Sequence, residues 1–316
     1  MKITVLCGGE GPEREVSLRS GAAVSAALSG QGHEVVCADI QRKNDIFSLF
    51  RDGRGGFVFI ALHGGWGEDG TLQAALEMMG VPFSGSGHSA CALAMDKTAS
   101  KALFRWKGID VPKGIEVCRG TTAREIMESS RLPSILGKSG KLVVKPCCSG
   151  STVGVSILEG TDLLGEALQE AFRFDSRALV EEFIPGRELT VTVQEENGIP
   201  SCLPVIEIQP SMGFYDYASK YTPGASEYIV PAPLSEFVHR RVEKASLEAH
   251  TSMGCRAYSR VDLRLGDDGF PVVLEVNTVP GMTATSLVPK AAASAGISFG
   301  SFLDRVVENS LRNGRP

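Results

Sequence analysis

The sequence predicts an α/β fold that opens with a parallel sheet. Strand-like apolar runs lie at residues 3–7, 34–38 and 57–62, and helical patterns near residues 16–28 and 72–79 alternate with them. Strands and helices that alternate in this way are typical of βαβ units, whose strands pair in parallel. We therefore expect a parallel α/β unit first, followed by parts of the chain with other patterns.

The middle of the chain carries helix-capping signals and a loop rich in glycine and hydroxyl groups. Asp96 stands at the N-cap of a helix predicted over residues 97–106, and residues 122–125 have the spacing of a capping box. Residues 142–145 and 153–158 are predicted strands on either side of the loop. These features predict a smaller α+β unit.

The last part of the chain has longer strands and a long irregular stretch. Strands are predicted at residues 189–194 and 202–208, and a helix is predicted behind Ser235 as its N-cap. The irregular stretch over residues 209–228 contains glycines, and its length suits a lid that closes over bound ligands.

These patterns predict three domains. A chain of 316 residues is long enough for two or three domains. The parallel pattern covers residues 1–92, the α+β pattern covers residues 93–180, and the longer strands with the lid cover residues 181–316.

The composition excludes several classes of partner. A net charge of −5 without any block of like charge argues against a nucleic-acid partner. No apolar run approaches the roughly 20 residues of a membrane span, and the first apolar run is too short for a signal peptide. The eight cysteines have no CxxC spacing, so we expect reduced thiols and a cytoplasmic protein.

A predicted β-hairpin near the C-terminus carries an acidic cluster. Residues 260–265 and 272–277 are its strands, and a Gly/Asp turn joins them. Asp262 should lie opposite Glu275 and Asn277 on one face of the hairpin. Oxygen ligands of this kind suit Mg²⁺ when water and substrate phosphates complete its coordination. An ordinary surface hairpin with scattered charges is the competing interpretation.

The loop that follows Lys145 has the composition of a phosphate-binding loop. Backbone N–H groups of such a glycine-rich loop can surround phosphates, and the lysine adds a positive charge. A plain hairpin turn beside a chance lysine is the competing interpretation. The loop is not a P-loop, because GxxxxGK[ST] is absent.

Two further segments carry weaker signals of ligand contact. Residues 178–184 form an apolar strand before a turn and Glu188, so backbone groups there could meet a purine and the carboxylate a ribose. A solvated loop is the alternative. His63 begins a glycine-rich run after a buried strand, where α/β proteins place ligands, and a structural histidine is the alternative.

In this order the segments resemble the ATP-grasp carboxylate–amine ligases, and among them the D-alanine–D-alanine ligase family. The closer resemblance rests on matching motifs within residues 8–17, 63–73, 95–101, 214–221 and 275–289. It extends over essentially the whole chain. It implies an ATP-grasp fold preceded by a Rossmann-like, parallel α/β domain.

The resemblance implies a nucleotide and metal site. The positions expected to bind ATP are Lys97, Lys145, Ser151, Glu181, Glu182, Phe183, Ile184, Glu188 and Lys220. Within this set the lysines would contact phosphates, Glu181 and the backbone of residues 183–184 the adenine, and Glu188 the ribose. Asp262, Glu275 and Asn277 would hold two Mg²⁺ ions, or Mn²⁺ in their place.

It also implies an amino-acid site and its chemistry. The positions expected to take part in catalysis are Glu13, Ser151, Tyr221, Arg260, Gly281 and Ser286, and those expected to bind the amino acids are Glu13, His63, Ser286 and Leu287. Glu13 would hold the ammonium of the first D-alanine and form a hydrogen-bonded set with Ser151 and Tyr221. Ser286 and Leu287 would hold the second D-alanine. Arg260 and the Gly281 amide would stabilise an oxyanion.

The implied activity is ATP-dependent synthesis of D-alanyl-D-alanine for peptidoglycan, through a D-alanyl phosphate, by a homodimer. Residues 147–149, Cys-Cys-Ser, depart from the family, because many relatives have charged residues there. Three alternatives stay open. One is a ligase that takes D-serine or D-lactate second, although Tyr221 argues against D-lactate. Another is an ATP-binding protein that does not ligate. The third, a dehydrogenase, lacks its GxGxxG motif.

Overall fold

The N-terminal part of the chain forms the predicted parallel sheet. The structure is a computed structural model, and it describes residues 1–50, 56–137, 139–150, 152–210 and 226–312. The elements of the N-terminal part are β1 (Lys2–Gly8), α1 (Arg14–Gly30), β2 (Glu34–Ile40), α2 (Asp45–Leu49), β3 (Phe57–Ile60), α3 (Thr71–Met78) and α4 (His88–Met95). The strand order is β2-β1-β3, and both pairs are parallel. The βαβ prediction is therefore confirmed.

A four-stranded antiparallel sheet follows in the middle of the chain. Its elements are α5 (Lys97–Trp106), β4 (Gly114–Cys118), α6 (Ala123–Met127), α7 (Leu132–Leu136), β5 (Lys141–Pro146), β6 (Ser156–Glu159), α8 (Leu164–Phe174) and β7 (Arg177–Glu182). The strand order is β4-β7-β5-β6. Asp96 caps α5 by accepting bonds from two backbone amides, and Thr122 and Glu125 form the predicted capping box. The strand predicted over residues 153–158 begins only at Ser156.

The larger antiparallel sheet has six strands. Its elements are β8 (Arg187–Glu196), β9 (Ile199–Cys202), β10 (Ile206–Pro210), β11 (Ser226–Ile229), α9 (Glu236–Ser252), β12 (Tyr258–Leu265), β13 (Pro271–Asn277), α10 (Leu287–Ser294) and α11 (Phe299–Arg312). The order is β11-β10-β8-β12-β13, and β9 also pairs with β8. The prediction of one strand over residues 202–208 is wrong, because two strands flank a break that contains Pro204. Proline has no N–H for a strand ladder.

The hairpin of β12 and β13 has the predicted register. Asp262 lies opposite Glu275, and Arg260 lies opposite Asn277. The register shifts after Asp262, so that Leu274 is an extra residue in β13. Such a bulge changes the direction of neighbouring side chains, and bulges are frequent beside functional sites.

One hydrophobic core joins the two ends of the described chain. Ile3 and Phe59 of the parallel sheet share it with Tyr258 of β12 and with Phe302 and Val306 of α11. The Tyr258 and Phe302 rings meet edge to face, with centroids 6.0 Å apart. The predicted domain limits, at residues 92 and 180, fall inside α4 and β7, and the division into three domains stays a prediction. Within the described ranges, no helix has the length and apolar character needed to cross a bilayer.

Candidate active site

A cleft separates the four-stranded sheet from the six-stranded sheet. Its empty volume, open solvent included, is about 950 Å³. All seven described residues that the sequence assigns to ATP line it, namely Lys97, Lys145, Glu181, Glu182, Phe183, Ile184 and Glu188. Asp262 and Glu275 line the same cleft. The structure therefore brings the predicted nucleotide residues together with two of the predicted metal ligands.

Buried charges form one wall of this cleft. The Glu181 carboxylate pairs with the Lys145 ammonium and, at 3.1 Å, with Lys101, whose side chain is 1% exposed. Burial lowers the pKa of Lys101 to about 8, although Glu181 opposes this shift. Burial alone would raise the pKa of Glu181, but the two ammonium groups outweigh it and hold that pKa below its usual value. Glu181 is therefore ionised at neutral pH, and its position is determined by two cations.

Arg264 organises the end of the cleft around residues 183–188. It donates to the carbonyl oxygens of Ile184, at 3.1 Å, and Gly186, at 2.7 Å, and it pairs with Glu188 at 3.2 Å. Its guanidinium also lies 5.6 Å from the centre of the Phe183 ring. A carbonyl oxygen has two lone pairs, so the Ile184 carbonyl keeps acceptor capacity while Arg264 is bound.

A second pocket adjoins the first. Its empty volume is about 800 Å³, and the predicted amino-acid and catalytic residues Glu13, His63, Arg260, Gly281, Ser286 and Leu287 line it. Gly150 and Glu275 line both pockets. The two pockets therefore meet at the glycine-rich loop and at one of the predicted metal ligands.

The predicted metal ligands converge on Asp262. Its carboxylate accepts hydrogen bonds from Asn277 at 3.0 Å and from Thr190 at 2.6 Å, and it forms a two-point ion pair with Arg260. Glu275, the residue opposite, lies 3.5 Å from the ammonium of Lys97. Arg260, the predicted oxyanion donor, is thus held beside the metal ligands.

These residues fit a magnesium site. In the part of the chain that the structure describes, no three His, Cys, Asp or Glu side chains form a metal-binding group. The predicted site therefore consists of two carboxylates and the amide oxygen of Asn277. Such a set of hard oxygen donors suits Mg²⁺ that keeps water or phosphate ligands. The Asp262 carboxylate pairs with the Arg260 guanidinium and accepts a hydrogen bond from Asn277, so a bound cation would share its oxygens with these groups.

The loop before α10 is tightly folded around Ser286. The Ser286 hydroxyl accepts a bond from the Thr283 amide at 3.0 Å, and a Cβ on Gly281 would lie only 2.9 Å from it. Ser286 is the N-cap residue of α10. The N-terminus of a helix favours negative charge, which supports the prediction that a substrate carboxylate binds here.

Glu13 faces the glycine-rich segments from the start of α1. A Cβ on Gly64 would lie 2.7 Å from its carboxylate, and one on Gly150 would lie 3.8 Å from it. Gly64 has a φ of +73°, a conformation that glycine adopts without strain. Glycine at position 64 therefore allows the carboxylate to sit against the backbone, close to the phosphate loop.

Hydrogen bonds from neighbouring elements hold the phosphate loop. Lys97 donates to the Ser149 carbonyl at 2.6 Å, and the Cys148 amide donates to Asp175 at 2.8 Å. Burial raises the pKa of the Cys147 thiol to about 11, so this thiol is neutral at physiological pH. The unusual Cys-Cys-Ser segment is therefore held by bonds to its backbone.

Sequence reasoning assigned no role to four residues of the site. They are Lys101, Ser17, Ser20 and Thr190. Ser17 accepts a bond from the Gly8 amide and donates to the Ala61 carbonyl, which fixes the ends of two strands. Ser17 and Ser20 lie on the buried face of α1 together with Val24 and Leu28. Serines on the otherwise apolar face of a predicted helix were the sequence signal that could have identified them. Three predicted residues, Ser151, Lys220 and Tyr221, and most of the predicted lid lie outside the described residues.

Comparisons with known proteins identify the family of this chain. Family models described as D-ala D-ala ligase C-terminus and N-terminus match residues 105–308 and 50–86. The D-alanine–D-alanine ligase of Syntrophotalea carbinolica is 45% identical over 98% of this chain and 97% of its own length. That of Halalkalibacterium halodurans is 43% identical over 99% of this chain and 100% of its own length.

Solved structures give the same result. The D-alanine–D-alanine ligase of Bacillus anthracis superposes with a TM-score of 0.84 at 38% identity, over 99% of this chain and 98% of its own. The VanG D-Ala:D-Ser ligase of Enterococcus faecalis superposes with a TM-score of 0.81 at 29% identity, over 98% of this chain and 99% of its own. The predicted ATP-grasp fold is confirmed by these neighbours. The extent and identity of these matches show that the chain belongs to the D-alanine–D-alanine ligase family.

Proposed function

We propose that this protein joins two D-alanine molecules into D-alanyl-D-alanine and converts ATP to ADP and phosphate, as a step of peptidoglycan precursor synthesis. One observation carries the proposal. A cleft of nucleotide dimensions and a smaller polar pocket meet at Gly150 and Glu275. Such a junction would bring the γ-phosphate of a nucleotide next to the carboxylate of an amino acid.

The first step is phosphoryl transfer. An oxygen of the first D-alanine carboxylate attacks the γ-phosphorus, and ADP leaves with the electrons of the broken bond. The protein's role is to position the groups and neutralise their charge, which Lys97 and Lys145 do from the wall of the cleft. Asp262, Glu275 and Asn277 would hold two Mg²⁺ ions, or Mn²⁺, which when bound neutralise phosphate charge.

The second step is acyl transfer. The amine of the second D-alanine attacks the acyl carbon, and phosphate leaves from the tetrahedral intermediate. Arg260 and the Gly281 amide line the pocket where the oxyanion would form, and such donors contribute most when they are fixed beforehand. Ser286 and Leu287, at the start of α10, would hold the carboxylate of the second substrate.

Phosphate release tests the proposal directly. The purified protein would be given ATP and Mg²⁺ with D-alanine, L-alanine, D-serine or D-lactate, alone and mixed with D-alanine, and each product identified by mass. We expect D-alanyl-D-alanine with one phosphate released per dipeptide. A D-alanyl-D-serine product formed faster would favour the activity for which the VanG relative is named. Absence of every product, with ATP still bound, would favour a binding protein without ligase activity.

We further propose that the protein acts in the cytoplasm as a homodimer. The absence of CxxC spacing among its cysteines supports the compartment. Light scattering of the purified protein across a concentration series checks the oligomeric state, and a monomeric mass at every concentration would contradict the dimer.

A further inference from the structure

Ser20 contacts two segments beside the amino-acid pocket, one at His63 and the other next to Gly281. It belongs to α1 and is fully buried. Its hydroxyl oxygen lies 2.8 Å from Nε2 of His63, which lines the pocket from one side. It also accepts a hydrogen bond, at 3.3 Å, from the amide of Met282, the residue after Gly281. One hydroxyl thus connects His63 with the backbone of the predicted oxyanion loop.

The count of donors determines where the His63 proton lies. Ser20 has one hydroxyl hydrogen, and among the described residues its one acceptor within hydrogen-bonding distance is His63 Nε2. If Nε2 carried a hydrogen, it would donate to Ser20, and the buried serine hydrogen would have no acceptor. Leaving a buried donor without a partner is costly. The arrangement therefore favours a bare Nε2 that accepts from Ser20.

Glu68 favours the same arrangement from the other side of the ring. Nδ1 of His63 lies 3.5 Å from the Glu68 carboxylate. A hydrogen on Nδ1 points a positive partial charge at this carboxylate, whereas a lone pair there would be repelled by it. The carboxylates of Glu68 and Glu13 lie 4.0 Å and 3.8 Å from where a Cβ on Gly150 would be.

We propose that Ser20 is a positioning residue that holds neutral His63 with its proton on Nδ1, directed at Glu68, and ties this pair to the backbone beside Gly281. Both ring nitrogens are then engaged, so His63 does not bind a substrate ammonium through a lone pair. Its role is to hold Glu68, which with Glu13 gives the pocket two carboxylates for the ammonium group of an amino acid. The consequence for substrate binding rests on the proposed function, but the tautomer does not.

The tautomer can be measured on the protein itself. Long-range ¹H–¹⁵N NMR of the uniformly labelled protein separates protonated from bare ring nitrogens, and the chain has five histidines. His63→Gln identifies the His63 signals by their loss. We expect a protonated Nδ1 and a bare Nε2 in the wild type, and a mixture of tautomers in Ser20→Ala. A protonated Nε2 in the wild type, or an unchanged tautomer in Ser20→Ala, would overturn the proposal.

Kinetics provide a second test with a matched control. Ser25 lies on the same helix, and its buried hydroxyl has no hydrogen-bond partner among the described residues, so Ser25→Ala should leave both the tautomer and the kinetics unchanged. Ser20→Ala should raise the KM for D-alanine roughly fivefold to tenfold, as expected for one lost hydrogen bond, with the KM for ATP unchanged. Equal effects of the two variants would overturn the proposal.

The two tests also separate this proposal from the proposed function. If D-alanine is not a substrate, the NMR result still decides the tautomer of His63. If the ligase is active but Nε2 is protonated, the positioning role fails while the proposed function stands.

Discussion

The two pockets are built from different interactions. The nucleotide cleft is bounded by ionised groups that neutralise one another, with Glu181 between two lysines and Arg264 beside Glu188. The amino-acid pocket also has charged side chains, among them Glu13 and Arg260, but hydroxyl groups bound to backbone amides, at Ser20 and Ser286, hold the segments around it. Both sets of residues are largely buried, but we expect substitutions in the two sets to have different effects on stability and on substrate binding.

The difference follows from the ligands that the two pockets would hold. A triphosphate carries several negative charges, whereas the cleft is lined, among the described residues, by three cationic and five acidic side chains, so nucleotide binding would depend on the placement of the lysines and on bound metal cations. An amino acid has no net charge, so its recognition depends on the geometry of a few bonds. We expect substitutions in the cleft to alter stability and charge, and substitutions around the pocket to alter substrate geometry.

The largest effect on stability should come from Lys101→Met. Removing one partner of a buried ion pair costs about 3–5 kcal/mol, and because Lys145 still pairs with Glu181 we expect the lower end. Urea unfolding measures the loss. Lys244→Met, which breaks an exposed pair with Glu248, is the control, and its expected loss is below about 0.5 kcal/mol. Similar losses in the two variants would show that the buried ion pair contributes no more to stability than the exposed one.

The largest effect on turnover should come from Glu275→Gln. This change keeps the shape of the side chain but removes a charge at the junction of the two pockets, and we expect kcat to fall roughly a hundredfold or more with the fold intact. Steady-state phosphate release measures kcat, and circular dichroism checks the fold. Asp267→Asn, in the exposed turn of the same hairpin, is the control. Near-normal turnover of Glu275→Gln at saturating Mg²⁺ would show that the metal site lies elsewhere.

A smaller effect, confined to nucleotide binding, is expected for Glu188→Ala. Loss of a contact to ribose should raise the KM for ATP by about tenfold with little change in kcat, while Arg264 keeps its two carbonyl partners. Initial rates at varied ATP and saturating D-alanine measure both constants. An effect on the KM for D-alanine alone would show that Glu188 does not contact the ribose and that the two pockets do not bind their ligands separately.

The smallest effect is expected for Asp96→Asn, and it depends on pH. Burial alone would raise the pKa of Asp96, but the amides at the start of α5 and the guanidinium of Arg177 outweigh it and lower this pKa below 3.8. The charge therefore stabilises the fold fully above about pH 4, and the contribution is lost as the pH falls through the lowered pKa. Asparagine also caps helices, so we expect a loss of about 1 kcal/mol or less at pH 7.

Thermal unfolding of Asp96→Asn and wild type at pH 7 and pH 3 checks this dependence. The difference between the two proteins should shrink as the solution becomes more acidic. A difference that grows at low pH would show that the carboxylate does not stabilise the fold through its charge.

Local signals in the sequence were sufficient for much of the fold and for the pairing of Asp262 with Glu275. The cap at Asp96 and the capping box at Thr122 depend on amides two or three residues away, so short patterns predict them. The pairing of Asp262 with Glu275 follows from a hairpin whose strands are adjacent in the chain. Alternation along a strand then determines which side chains share a face.

Contacts between distant segments could not be predicted in this way. Ser20 meets His63 across 43 positions and Met282 across 262 positions, and no pattern around any of the three residues indicates the others. Lys101 was part of a recognised motif, but its role becomes visible only when β7 brings Glu181 to it. Charged and hydroxyl groups that position other side chains depend on the tertiary fold, and their local sequence carries little sign of it.

The core shared by the parallel sheet and α11 has a consequence for synthesis on the ribosome. Chains fold as they emerge, N-terminal segments first. Ile3 and Phe59 leave the ribosome long before Phe302 and Val306, the residues that cover them. Until α11 has been translated, the nascent parallel sheet exposes an apolar face and is open to chaperones or to misassembly with neighbouring chains. We therefore expect a ribosome-bound chain that stops before residue 299 to remain protease-sensitive in its parallel sheet.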